Sequence, residues 1–251
     1  RVTFITNMID SYPKIFSSKQ KIMFIFAHPD DAEIYSGGLI SRLIHDHKNV
    51  LLVKMTTGNK GSRNEQYTEE ELAKTRETED LVALNILGLT KSDSINLNLG
   101  DGEVENNLTT IGKLVEQIRK FKPELIITHN PETTLIRDLN GDYYFNHRDH
   151  RNTATTVIDA IHPYSRDNLF FPEQIKSGLT PHTVTEMLLV DSWGNQDTVH
   201  LDITNFIETR TMAIAAHKSQ FDSQRAKDLT NFMVIEENGR YFEQFRYIPA
   251  E

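Results

Sequence analysis

The chain of 251 residues carries 36 acidic and 27 basic side chains, a formal charge of −9. Its length accommodates one large α/β domain or two small ones, and 38% hydrophobic with 25% charged residues is a globular composition, not a disordered one. There is no cysteine, which excludes disulfide scaffolds, thiolate-bound zinc and thiol nucleophiles together. Any metal must therefore be held by His and carboxylate. The acidic balance argues against a nucleic-acid partner, whose phosphates call for clustered Lys and Arg. The longest apolar run, residues 22–27, is far short of a membrane span. No basic start followed by a long apolar stretch opens the chain. The expectation is a cytoplasmic protein with no integral membrane segment.

Residues 1–20 read as an N-terminal extension that either packs as a short helix or lies over the surface. No repeat, low-complexity tract or Gly/Ser linker divides 21–251, so a single domain is expected there. Residues 21–27 read as a buried strand and 34–47 as a helix. A second strand follows at 50–56, then a helix at 69–87 with Leu72, Leu81, Leu84 and Leu87 on one face. A short strand is expected at 95–99, and a helix at 108–121 that Pro123 stops. Strands at 125–128, 186–190 and 199–203 and helices at 152–161 and 205–217 complete the pattern. This alternation implies a Rossmann-like α/β fold, a mainly parallel sheet with helices on both faces.

In open α/β sheets the ligand crevice lies beyond the carboxyl ends of the strands. The first strand is followed by His28-Pro29-Asp30-Asp31-Ala32-Glu33, the second by Thr57-Gly58-Asn59-Lys60-Gly61-Ser62-Arg63. Residues 125–128 are followed by His129-Asn130-Pro131 and a polar loop to His147-Arg148-Asp149-His150. Pro29 stiffens its turn, so His28 and Asp31 can point at one ion while Asp30 stays free alongside. His147 and His150, three apart, share a helix face and can supply a third ligand and a neighbour. Three protein ligands with an open position describe a catalytic zinc site; iron(II) or cobalt could take the same donors. Taken alone, an Asp-Asp pair after a strand is a helix cap, and His residues three apart occur on solvated faces. Both motifs at strand ends of a cysteine-free chain favour the metal site.

These motifs resemble the LmbE-like, or PIG-L, family of zinc-dependent de-N-acetylases. The likeness runs from His28-Pro29-Asp30-Asp31 through Thr57-Gly58, Gly61-Ser62-Arg63, Arg76-x-x-Glu79, Leu87-Gly88-Leu89, Asp101-Gly102 and Thr128-His129-Asn130-Pro131. It continues in His147-x-Asp149-His150 and Ala216-His217-Lys218-Ser219-Gln220, covering about residues 21–220. The resemblance implies one Zn²⁺ held by His28, Asp31 and His150, with Asp30 as general base. It implies that His147 stabilises the oxyanion or donates a proton, that Asp149 orients it, and that Arg63 and Asp101 contact the sugar or its aglycone. Made more basic by Asp149, His147 is expected to be cationic. The substrate implied is a small N-acetylated amino-sugar conjugate; a homo-oligomer is left open. The chain departs from the family pattern at Arg148, where Pro is frequent, and at Asn59, where Glu is frequent. The tyrosine that some members place before the second motif is either Tyr144 or absent.

Other residues carry less. Arg76 and Glu79, three apart on one helix, are expected to pair with each other. His129 is either a support for the site or a structural histidine, and Trp193 either floors a sugar pocket or packs. The segment 138–142 lacks the spacing of a calcium loop and reads as a border of the site. The leading function is hydrolysis of an N-acetylglucosamine-type acetamide. Its alternatives are an amidase on a larger sugar–thiol conjugate and a sugar-binding relative without turnover. A dinucleotide enzyme is disfavoured because His-Pro-Asp-Asp stands where G-x-G-x-x-G belongs.

Overall fold

The computed structural model describes residues 8–63, 65–137 and 141–250. A short helix, α1 (Tyr12–Phe16), precedes strand β1 (Lys21–Phe26), helix α2 (Asp31–His45), β2 (Asn49–Thr56), α3 (Glu69–Leu87) and β3 (Ser94–Leu99). Then come α4 (Leu108–Phe121), β4 (Leu125–Thr128), a hairpin of β5 (Leu135–Arg137) and β6 (Tyr143–Phe145), and α5 (Arg148–Asp159). The chain continues through α6 (Pro172–Lys176), β7 (Glu186–Leu189), β8 (Thr198–Asp202), α7 (Ile207–Ala216), α8 (Ser223–Met233), β9 (Ile235–Glu237) and β10 (Arg240–Pro249). The main sheet has the order β3-β2-β1-β4-β7-β10-β8, with β9 on β10. The pairs β3–β2, β2–β1, β1–β4 and β4–β7 are parallel; β10 runs antiparallel to β7, β8 and β9.

Period-2 burial on both faces builds two cores. Ile22, Phe24 and Phe26 of β1 join Val50, Leu52, Leu125 and Ile127 on one side, covered by Leu39 and Leu43 of α2, Leu84 of α3 and Ala213 of α7. Met23 and Ile25 join Leu51, Val53 and Ile126 on the other, covered by Ile111, Leu114 and Ile118 of α4 and Val157 of α5. A strand buried on both faces must be apolar throughout, which is why β1 and β2 read as continuous runs. Tyr12, Ile15 and Phe16 are buried in the first of these cores. Within the described part of the leading segment, Tyr12–Phe16 pack as a short helix, pinned by Tyr12 Oη on Asp46 (2.7 Å) and Arg42 on Asp10 (2.9 Å).

Helix ends follow local chemistry. Thr68 and Glu71 form a reciprocal capping box at the start of α3, and Gly88 ends it at φ +87°. Asn107 caps α4 by accepting from the Thr110 N–H. Two helices begin earlier than the sequence pattern suggests: α2 at Asp31, not 34, and α5 at Arg148, not 152. In both, the first turn is polar because it carries the site, so an apolar periodicity starts only later. The elements β5, β6, α6, α8, β9 and β10 lie outside the pattern that the sequence predicts. Buried Glu243 and half-buried Gln244 and Arg246 interrupt the apolar pattern of β10.

Glu243 ties this last strand to the site helix. It accepts from the Gly38 and Leu39 N–H groups of α2 (2.9 and 2.8 Å) and pairs with Arg210 Nε of α7 at 3.0 Å, both side chains being at most 1% exposed. Removing one partner of a buried pair strands the other charge. Glu243→Ala is therefore expected to lose about 3–5 kcal/mol of stability, read from urea unfolding.

Candidate functional site

The ends of β1, β4 and β7 lie side by side, because β1 pairs β4 and β4 pairs β7. Each delivers a titratable residue: His28 and Asp31 after β1, His129 after β4, Asp191 two residues after β7. The helix α5 adds His147, Asp149 and His150 at its N-terminus.

Asp31 is the hub. Its carboxylate is buried, its Oδ2 accepts from the His28 N–H at 2.8 Å and lies 3.4 Å from His28 Nδ1 and from His129 Nε2, and its Oδ1 lies 3.3 Å from His150 Nε2. Burial raises its pKa, but His150, His28 and His129 outweigh that and hold it well below the ordinary range. Burial works against a charge on His28; Asp31, Asp101 and Asp149 override it and raise the imidazole well above its usual value. His28 Nε2 lies 3.2 Å from Asp101 Oδ1 and 3.4 Å from Asp149 Oδ2, yet completes no hydrogen bond among the described residues.

Asp30 does not cap α2. Its backbone is held at φ +138° and its side chain makes no cap hydrogen bond. Its Oδ2 instead sits 2.9 Å from Arg76 Nη2, and His217 and His28 also act on its charge. Burial and the neighbouring Asp31 raise the Asp30 pKa, while Arg76 opposes the rise. Arg76 also donates to the Pro29 and Gly58 carbonyls at 2.7 and 3.2 Å. A Cβ on Gly58 or Gly61 would come within 2.9 Å of the guanidinium, so only glycine lets the loop close over it. The expected Arg76–Glu79 pair is thus not formed: Arg76 is drawn to Asp30, and Glu79 accepts from the Ser219 N–H and hydroxyl, both at 2.7 Å.

His147 departs from the cationic role. It is the N-cap of α5, and its Nδ1 accepts from the Asp149 N–H at 3.1 Å. An accepting Nδ1 carries no proton, which leaves Nε2–H as the donor of a neutral ring. Burial, His28 and His150 lower its pKa. Asp149 orients His147 through its backbone alone; its carboxylate accepts from the Gly102 and Val104 N–H groups at 2.6 and 3.2 Å. Asp101 is buried against His28 and its backbone N–H is held by Asn59, so its Oδ1 faces the imidazole cluster. Arg63 is exposed on its loop. Arg148 clamps the same 102–104 turn by donating to the Gly102 and Val104 carbonyls, at 2.9 and 2.8 Å. Trp193 is half-buried, and Asp138, Leu139 and Asn140 lie outside the described residues.

Among the described residues, three overlapping groups bring ligand atoms close enough for one ion: His28/His147/His150, Asp31/His129/His150 and His28/Asp101/Asp149. His28, Asp31 and His150 are joined through Asp31. Imidazoles and a carboxylate with no thiolate, gathered around the buried Asp31, are a donor set that fits a divalent ion. Sequence reasoning missed Asp191 and Tyr35. Asp191 obeys the same strand-end rule as the others, and Tyr35 lies one helical turn beyond Asp31.

Parallel strand ends that converge on buried imidazoles and carboxylates able to hold a metal are the arrangement of a hydrolase of the LmbE-like class. Residues 23–161, more than half of the chain, match the family model PIG-L, GlcNAc-PI de-N-acetylase, and the chain belongs to that family. It is 25% identical over 242 residues to diacetylchitobiose deacetylase of Thermococcus kodakarensis, spanning 94% of this chain and 85% of that one. It is 24% identical over 254 residues to mycothiol S-conjugate amidase of Streptomyces coelicolor, spanning 81% and 83%. The solved N,N'-diacetylchitobiose deacetylase of Pyrococcus horikoshii, complexed with its inhibitor MPG, matches with a TM-score of 0.80 at 27% identity, over 93% of this chain and 85% of that one. Family and relatives make the chain a deacetylase-type hydrolase of an amide bond. No helix among the described residues is long and apolar enough to cross a membrane.

The environment of His147 has a direct readout. In metal-free protein its ring is expected to titrate below the usual imidazole value of about 6.5, followed by the C2–H resonance in NMR. A midpoint above that value would restore the cationic reading.

Proposed function

We propose that this chain hydrolyses the acetamide of an N-acetylglucosamine-type conjugate, releasing acetate and the free amine. The metal is zinc, held by His28, Asp31 and His150. The observation that carries the reading is the division of the Asp30-Asp31 pair: Asp31 is faced by imidazoles, while Asp30 is turned aside onto Arg76. Family membership and the deacetylase relatives support the same reaction.

Amides resist hydrolysis because water is a weak nucleophile and an amine a poor leaving group. Zinc, when bound, supplies a Lewis acid for the acetamide carbonyl and a nucleophile at neutral pH. Asp30 accepts the proton of the attacking water and delivers it to the departing nitrogen. Its burial suits it to that exchange, since a carboxylate lifted from the ordinary range is the stronger base towards water and holds the proton until the amine nitrogen takes it. His147 donates from Nε2 to the oxygen that gains charge as water adds, and it is pre-aimed by its cap bond to Asp149. Asp101 and Asp149 hold His28 from behind. Arg63, exposed at the loop, is available to the sugar or its aglycone.

A second reading, amide cleavage in a larger thiol conjugate, is favoured by the likeness to mycothiol S-conjugate amidase. Free-amine release from N,N'-diacetylchitobiose, an N-acetylglucosaminyl inositol phospholipid and a sugar–thiol conjugate separates the two. Activity on the first or second, abolished by a chelator and restored by zinc, is expected. Metal-loaded protein inert toward all three would overturn both readings. Asp30→Asn should keep the metal and lose about 10²–10⁴-fold in kcat. Full turnover by that variant would remove Asp30 from the base role.

A further inference from the structure

Asp191 belongs to none of the roles assigned above, yet its carboxylate is fully buried at the rim beside two imidazoles. It follows β7 with its backbone at φ +59°, a left-handed conformation uncommon outside glycine and asparagine. Its side chain is fully buried. Oδ2 accepts from His129 Nδ1 at 2.8 Å and Tyr35 supplies a further hydrogen bond, while His150 Nδ1 stands 3.8 Å from the same oxygen. Among the described residues, His150 Nδ1 and Asp191 Oδ1 are buried here without a hydrogen-bond partner.

The two imidazoles between Asp191 and Asp31 form a matched pair. His129 and His150 stack face to face, with ring centroids 3.9 Å apart and planes inclined by 12°. Both turn Nε2 towards Asp31, at 3.4 and 3.3 Å, and both turn Nδ1 towards Asp191. Tyr35 closes the assembly, edge-on to each ring at 5.6 and 6.1 Å between centroids. His129 is fully buried, so it acts as a wall that fixes the plane of the His150 ring.

We propose that Asp191 is the positioning residue for His150: its carboxylate accepts the His150 Nδ1–H, which fixes the tautomer that presents the Nε2 lone pair beside Asp31. An imidazole binds a metal through a bare nitrogen, and the hydrogen bond on its other nitrogen decides which one is bare. A carboxylate partner also makes the ligating nitrogen more basic. The inference rests on His150 being a ligand, as in the function proposed above, but it concerns how the ligand is aimed and not what substrate is cleaved. Burial of Asp191 in a left-handed turn explains why the side chain cannot swing out to solvent instead.

The test is metal affinity, measured on apo protein by competition with a chromophoric chelator. Asp191→Asn keeps the size of the side chain and tolerates the same backbone, and it should weaken zinc binding about 10–100-fold. In the cobalt-loaded protein the same change should shift the visible d–d bands, which a merely structural role would leave in place. A second measurement needs no variant: in zinc-loaded wild-type protein, imidazole-tuned ¹H–¹⁵N spectra should show His150 protonated at Nδ1. Wild-type affinity with unshifted cobalt bands in Asp191→Asn, or a His150 protonated at Nε2, would overturn the proposal. Protein that binds metal as expected but cleaves no acetamide would refute the function above and leave this inference standing. Wild-type protein that takes up no divalent metal would overturn both.

Discussion

A charged carboxylate buried among imidazoles is the constraint on which this site depends. Asp31 is taken out of water at the first turn of α2, and an unpaired buried charge is too unfavourable to persist. Its compensation comes from three separate parts of the chain: His28 from the preceding turn, His129 from the end of β4 and His150 from α5. The neighbours of those imidazoles must then be satisfied in turn. Asp101 and Asp149 stand behind His28, and Asp191 stands behind His129. The polar rim is one electrostatic unit that grows outward from Asp31.

The sheet order makes this convergence possible. With β1 central, flanked by β2 and β4, and β7 beyond β4, the carboxyl ends of successive parallel strands open on one crevice. The antiparallel β10 then extends the sheet and anchors α2 through Glu243. That anchorage fixes where the first turn of α2 sits, and so where Asp31 points. The site therefore leans on a strand far from it in sequence.

Much of this was legible beforehand. Strands buried on both faces announce themselves as apolar runs, and the residues after them are few enough to inspect. His28, Asp31, His129, His147 and His150 were all found that way. Partners that depend on three-dimensional juxtaposition were not legible. Arg76 sits three residues from Glu79, a spacing that suggests a helical ion pair, but the buried Asp30 in another element outcompetes it. His147 looks cationic beside Asp149, yet a helix N-cap uses its Nδ1 as an acceptor. Asp191 carries no motif, and β10 is broken by buried polar residues that only their partners explain.

Adjacent in sequence, Asp30 and Asp31 are chemically opposite because their surroundings are. Imidazoles hold Asp31 ionised, whereas burial and the charge next door lift Asp30 despite its arginine. Two titratable groups pushed apart by environment are how one site separates incompatible tasks. A ligand must stay charged; a proton carrier must change state during the cycle. The positive φ at Asp30 accompanies the separation: Asp30 meets Arg76 while Asp31 meets the imidazoles. A strained backbone persists only where its surroundings fix it, and here Arg76 does so by gripping the carboxylate and the carbonyl before it. The division of labour is therefore built into the turn and its arginine, not into the identity of the two residues.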